Sequence, residues 1–217
     1  PVVDGRVMPN DVSRIFRAGR QQAVPFMSGT VDREESLMGR YPFKLEDLMR
    51  GDDPAPVRAA YADLDEAARV KAWFADSLFR GPARFLAGEM PRVGQPAWLY
   101  EFSYVGETLR RTESGAAHSD DVAFAFGDLG LRARWRSEAP PTDADRRMAA
   151  TVMGYWVNFA KHGNPNGPGL PNWPSYLRST DQLLELGPTI SPHKPGREAV
   201  LRFLDRGYEA ALSTPKK

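Results

Sequence analysis

Ala97-Trp98-Leu99-Tyr100-Glu101-Phe102-Ser103-Tyr104 (residues 97–104) decides the fold of this chain. Its β-prone aromatic and aliphatic side chains occupy alternate and intervening positions alike. Successive side chains of a strand point to opposite faces, so a strand of this composition has both faces covered. Strands buried on both faces belong to sheets with helices packed above and below, which predicts an α/β fold.

The segments flanking this strand fit that architecture. Upstream, residues 41–90 show helical spacing at Trp73, Phe74, Leu78 and Phe85, broken at Gly51-Asp52-Asp53-Pro54. Pro82 is expected to kink or restart the last helix. Before that lies Val24–Ser28, a short apolar run that reads as a second buried strand. It leads into Gly29-Thr30-Val31-Asp32-Arg33-Glu34-Glu35-Ser36, with its cluster of carboxylates. Two strands joined by a helical excursion predict parallel neighbours. Downstream, Gly115-Ala116-Ala117-His118 places one of three histidines in a turn of small residues.

The remaining segments are more local. Val12, Ile15 and Phe16 suit a brief helix ended by Gly19. Thr142-Asp143-Ala144-Asp145 reads as a helix start, and Met148, Val152, Tyr155, Trp156 and Phe159 fall on one face up to Gly163 and Pro165. Residues 164–176 form a loop anchored by Trp173 and Tyr176. Leu183–Leu186 suits a short strand, and Arg197–Leu212 a terminal helix. His162 is expected to interact with its helix C-terminus, and His193, between prolines, to lie on the surface.

Composition excludes several classes. The 217 residues carry 29 basic and 28 acidic side chains, a net charge of +1, which gives no reason to expect nucleic acid or an anionic membrane as partner. No apolar run is long enough to span a bilayer. With no cysteine and widely spaced histidines, neither a metal site nor a cofactor is expected. Arg132-Ala133-Arg134-Trp135-Arg136 reads as a solvated basic loop rather than a phosphate site. These features suit a soluble protein, cytoplasmic or exported. The opening Pro1-Val2-Val3-Asp4-Gly5 suggests a fragment, a processed product or one of two polypeptides.

A serine hydrolase needs an imidazole to take the hydroxyl proton and a carboxylate to orient that imidazole. In α/β-hydrolases the acid precedes the histidine, both on loops after strands. Here the carboxylate cluster and His118 follow successive strands in that order, with Asp32, Glu34 and Glu35 all eligible as the acid.

At this level of detail the chain resembles the C-terminal part of the type B carboxylesterases, which include para-nitrobenzyl esterases and cholinesterases. Pro1-Val2-Val3-Asp4-Gly5 matches P-x-x-D-G, and Ala18-Gly19 with Val24-Pro25 is similar to the lead-in to the acid loop. Gly29-Thr30 through Arg33-Glu34-Glu35-Ser36 resembles G-T-x-x-D-E-G-S. Gly115-Ala116-Ala117-His118 with Phe126-Gly127 resembles G-x-x-H-x-x-E-x-x-x-x-F-G. Tyr155-Trp156-Val157-Asn158-Phe159-Ala160 with Gly163-Asn164-Pro165-Asn166 is close to Y-W-x-N-F-A-x-x-G-x-P-N, and Trp173-Pro174-Ser175-Tyr176 matches W-P-x-Y.

The resemblance implies that residues 1–217 are the C-terminal portion of a single α/β-hydrolase domain, its last sheet strands plus packing helices. His118 would be the catalytic base and Glu34 the acid, with Leu37, Met38 and Tyr41 in the substrate pocket wall. No G-x-S-x-G occurs in these residues, so the nucleophile would come from an N-terminal part acting as partner, and the substrate would be a small-molecule carboxylic ester. Arg33 stands where the family has Asp, Glu35 where it has Gly, and Asp121 where it has Glu. The alternative is a non-catalytic, cholinesterase-like interaction module.

Overall fold

Ala97–Phe102 forms strand β2, hydrogen-bonded on both edges. The computed structural model describes residues 2–39, 43–49, 53–130 and 139–213. On one side of β2 lies β1 (Phe26–Val31), parallel, with Phe26 opposite Ala97 and Val31 opposite Phe102. On the other lies β3 (Leu183–Leu186), also parallel, with Phe102 opposite Leu186. β4 (Ile190–His193) returns antiparallel along β3 and ends the sheet order β1-β2-β3-β4.

The strand limits differ from expectation for local reasons. β1 starts at Phe26 because Pro25 has no N–H; Phe26 N–H donates to the Pro96 carbonyl at 3.1 Å. It runs on through Gly29, where a Cβ would come within 2.3 Å of the Tyr100 ring, so only glycine permits this close approach. β2 stops at Phe102 because β3 offers no further ladder: the Ser103 and Tyr104 N–H groups both donate to the Leu186 carbonyl.

Helices cover both faces. After α1 (Val12–Arg17) and β1, the excursion comprises α2 (Leu45–Met49), α3 (Ala55–Ala60), α4 (Glu66–Ala75) and α5 (Gly81–Glu89). Between α4 and α5 the helix widens into a π turn over Asp76–Arg80. Gly81 N–H reaches back five residues to the Asp76 carbonyl, and this wider turn admits the Pro82 ring without ending the helix. α5 packs on β1 and β2, burying Ala87, Met90, Ala97, Leu99 and Leu183. The other helices of the excursion close a separate core around Leu45, Tyr61, Trp73 and Phe74.

The opposite sheet face carries α6 (Asp120–Ala125) and α7 (Asp143–His162), over Trp98, Phe102, Tyr104, Val152, Tyr155 and Leu184. α7 begins in a capping box: Thr142 Oγ1 accepts from Asp145 N–H, and Asp145 Oδ2 accepts from Thr142 N–H. Trp173 is buried, donates from Nε1 to the Leu99 carbonyl at 2.9 Å, and lies edge-on to Tyr100 and Tyr155. α8 (Glu198–Ser213) completes the chain, tied to the π turn by Arg197 and Asp76 at 3.1 Å. Among the described residues no helix is long and apolar enough to cross a membrane. The basic run Arg132–Arg136 lies outside the described residues, as does Tyr41.

Candidate active site

Parallel strands deliver their C-terminal ends to one edge of a sheet, and the loops leaving β1 and β2 meet there. β1 ends at Val31, and the chain tightens into a 3-10 turn over Glu34–Met38. The loop after β2 returns so that Ala117 pairs with Arg33 in an isolated parallel bridge. Asp32 accepts at Oδ1 from Ala116 N–H at 2.7 Å, and Arg33 N–H donates to the Ala116 carbonyl at 3.2 Å. Gly115 is required for this approach: a Cβ there would lie 2.5 Å from the Asp32 carboxylate and 2.9 Å from Arg33 Cδ.

The zipped loops bring Glu34 and His118 together. Glu34 is buried, and its Oε1 accepts from Val31 N–H at 2.9 Å. Its Oε2 lies 2.5 Å from His118 Nδ1. His118 N–H donates to Ser36 Oγ at 2.7 Å, and the imidazole packs against the Phe79 ring, centroids 5.4 Å apart. The residue after the histidine, Ser119, has φ 71°, a left-handed conformation that aims this turn and costs a non-glycine residue of order 1 kcal/mol. With Nδ1 engaged by the carboxylate, Nε2 is the nitrogen left to exchange a proton with another group. His118 opens on a cleft of about 360 Å³ shared with Arg33, Ser36, Leu37, Glu113 and Ala117.

The other acids of the cluster are occupied elsewhere. Asp32 holds the backbone of the histidine loop; burial pushes its carboxyl up to about 6 against the opposing Ala116 hydrogen bond. Glu35 lies 3.6 Å from Arg33, whose Nη1 donates to Glu113 at 2.9 Å. The charges at the two altered positions of the acid loop are therefore paired locally. Asp121 accepts from the Tyr100 hydroxyl at 2.8 Å, on the side of the sheet facing α7.

Of the expected pocket residues, Leu37 is half exposed and lines the cleft. Met38 does not: the 3-10 turn rotates it into the core with Leu45, Trp73 and Phe74. Tyr41 lies outside the described residues. Sequence reasoning missed Ser36 as support for the histidine backbone, Phe79 as its ring neighbour, and Arg80. The last donates to the Asp32 carbonyl at 2.8 Å, to Asp76 at 3.0 Å and to Glu101 at 3.1 Å. A regular helical pattern gave no sign of the π turn that aims these residues. His193 is likewise not a loose surface histidine: Nδ1 is 3.2 Å from Glu185 and Nε2 is 3.5 Å from Glu101. Among the described residues no group of three or more histidines and carboxylates is placed to hold a metal ion.

A solved PNB esterase superposes with a TM-score of 0.76 at 24% sequence identity, covering 94% of this chain and 42% of its own. Carboxylesterase 5A of Canis lupus familiaris is 32% identical over 153 residues, 69% of this chain and 25% of the dog protein. Carboxylesterase 1C of Rattus norvegicus is 30% identical over 196 residues, 85% of this chain and 32% of the rat protein. The chain thus spans a quarter to a third of the length of these curated relatives. The sequence model described as the Carboxylesterase family matches residues 58–203, and by this match, together with the relatives, the chain belongs to the carboxylesterase family.

Proposed function

We propose that this chain supplies the base and the orienting acid of a serine-dependent carboxylic-ester hydrolase: His118 as base, Glu34 as acid, with the serine on a segment outside these 217 residues. The observation that carries the proposal is the 2.5 Å contact between His118 Nδ1 and buried Glu34 Oε2. A carboxylate so placed fixes the tautomer with the proton on Nδ1 and stabilises the imidazolium formed when Nε2 takes a hydroxyl proton. The same imidazolium then donates that proton to the departing alcohol. Water repeats the cycle on the acyl-enzyme, and neither His118 nor Glu34 is consumed. Leu37 borders the cleft where a small ester would be held.

On this reading residues 1–217 form the C-terminal portion of one hydrolase domain and the serine-bearing N-terminal portion is their partner. The test is hydrolysis of a p-nitrophenyl ester by the complete protein containing this chain. His118→Ala is expected to lower kcat by about 10^6 and Glu34→Gln by about 10^4, the scale on which comparable triad members act. Unchanged turnover in His118→Ala would overturn the triad assignment, and absence of turnover in the parent protein would favour the binding module.

A further inference from the structure

The π turn that interrupts the long helix puts two successive side chains on the two halves of the Glu34–His118 pair. Phe79 lies against the imidazole, and Arg80 lies under the turn that carries the acid. π turns place side chains where a regular helix cannot, and they recur at functional sites. We propose that Arg80 is a positioning residue for Glu34: it clamps the end of β1 so that the acid meets His118 at the required angle. This inference rests on the triad reading above and deepens it.

The clamp has three arms. Arg80 Nη2 donates to the Asp32 carbonyl at 2.8 Å and points at the Val31 carbonyl at 3.5 Å. The same two residues are gripped from their other side. Val31 N–H donates to Glu34 itself, and the Asp32 carboxylate holds Ala116, two residues before His118. The main chain between β1 and Glu34 is therefore fixed on its carbonyl side by Arg80 and on its N–H side by the acid. Arg80 is in turn anchored to its own helix by Nη1 on Asp76 and to β2 by Nε on Glu101. Asp76 is buried and shared with the Tyr61 hydroxyl at 2.6 Å and with Arg197 at 3.1 Å. Glu101 is shared with His193. A guanidinium is suited to this role because its planar fork donates in three directions at once, which a lysine ammonium on a flexible stem cannot reproduce.

Structural stapling alone would also use an arginine here, so the test reads the site as well as the fold. In the complete ester-hydrolysing protein, kcat and KM are measured for Arg80→Met, Arg80→Lys and Glu34→Gln. The downfield proton resonance of His118 Nδ1–H is recorded beside the unfolding midpoint. The expected result for Arg80→Met is a kcat lower by about ten- to a hundredfold, KM within about twofold, and a weakened or absent Nδ1–H resonance. Arg80→Lys, the milder change and the safer one for folding, is expected to fall between Arg80→Met and the parent on both readouts. If Arg80→Lys and Arg80→Met keep the parent kcat and resonance while Glu34→Gln loses both, the positioning role is wrong and the triad stands. If kcat falls in either variant only in proportion to unfolded protein, Arg80 is a structural staple and the positioning role is equally overturned. If Glu34→Gln itself keeps full turnover and the resonance, the triad reading has failed first and the positioning role falls with it.

Discussion

At the scale of the residue, three carboxylates within four positions compete for one role, and their surroundings separate them. Glu34 alone touches the imidazole; Asp32 ties down the loop backbone and Glu35 pairs with Arg33. Order and spacing in the sequence reach as far as the cluster and His118, and resemblance singles out Glu34. What no spacing rule supplies is the 3-10 turn, which exposes Leu37 to the cleft and rotates Met38 away from it. Asp32 has its own signature in pH. A carboxyl raised on folding from 3.8 to about 6 holds its proton more tightly in the native state, so stability declines as pH rises through that window and is level above it. Asp32→Asn, whose Oδ1 still accepts from Ala116 N–H, is expected to flatten that decline in urea midpoints while keeping most ester hydrolysis. Gly115→Ala forces a Cβ into the Asp32 carboxylate, and a loss of roughly 1–3 kcal/mol is expected by the same denaturation, with turnover falling as the two loops part.

At the scale of the element, composition was a good guide wherever local chemistry acts alone. Thr142 and Gly163 bracket α7 as caps should, and the unalternating aromatic and aliphatic run of Ala97–Phe102 reads as the doubly covered strand. The failures lie where tertiary contacts decide. β4 holds Pro192 and only four residues, a composition that reads as loop until β3 offers it an edge. Its last residue, His193, meets Glu185 beside it and Glu101 one strand further in. The hydrogen bond to Glu101 leads the causes that raise His193 above its ordinary value; burial opposes it, and Glu185 adds to it. A raised histidine stabilises the fold fully below its unfolded value near 6.5 and loses that contribution as pH climbs through the folded value. His193→Gln is therefore expected to be destabilising at about pH 6 and nearly neutral at about pH 9. Equal destabilisation at both would mean that the imidazole acts by shape and not by charge.

At the scale of the molecule, β1 and β4 are the two outer strands of the described sheet, and β1, six residues long and parallel to its neighbour, has its far edge unpaired there. Apolar side chains remain exposed around the same fold, among them Val7, Val24, Val122, Phe126 and Val157. Unpaired parallel edges and exposed apolar surface are liabilities that proteins cover. The expected outcome, in keeping with the proposed N-terminal partner, is that the 217 residues alone associate or precipitate and that co-expression with the serine-bearing portion yields a one-to-one species by light scattering. A monodisperse, cooperatively folding monomer of the 217 residues would refute it. That a strand edge would be left open was legible in outline from the small number of strands. Which strands form the edges was not, because only the pairing of β1 to β4 reveals it.

The contact between acid and base joins residues 84 positions apart, and the bracing bond from Asp32 to Ala116 has the same reach. Closing a loop of that length is entropically costly until the intervening helices have condensed, and contacts so distant in sequence form slowly. Helices α2 to α5 and the capped start of α7 are local and can form early. The proposed proton-transfer geometry thus waits on that condensation: a nascent or incompletely refolded molecule can hold nearly all of its helix and still have Glu34 apart from His118.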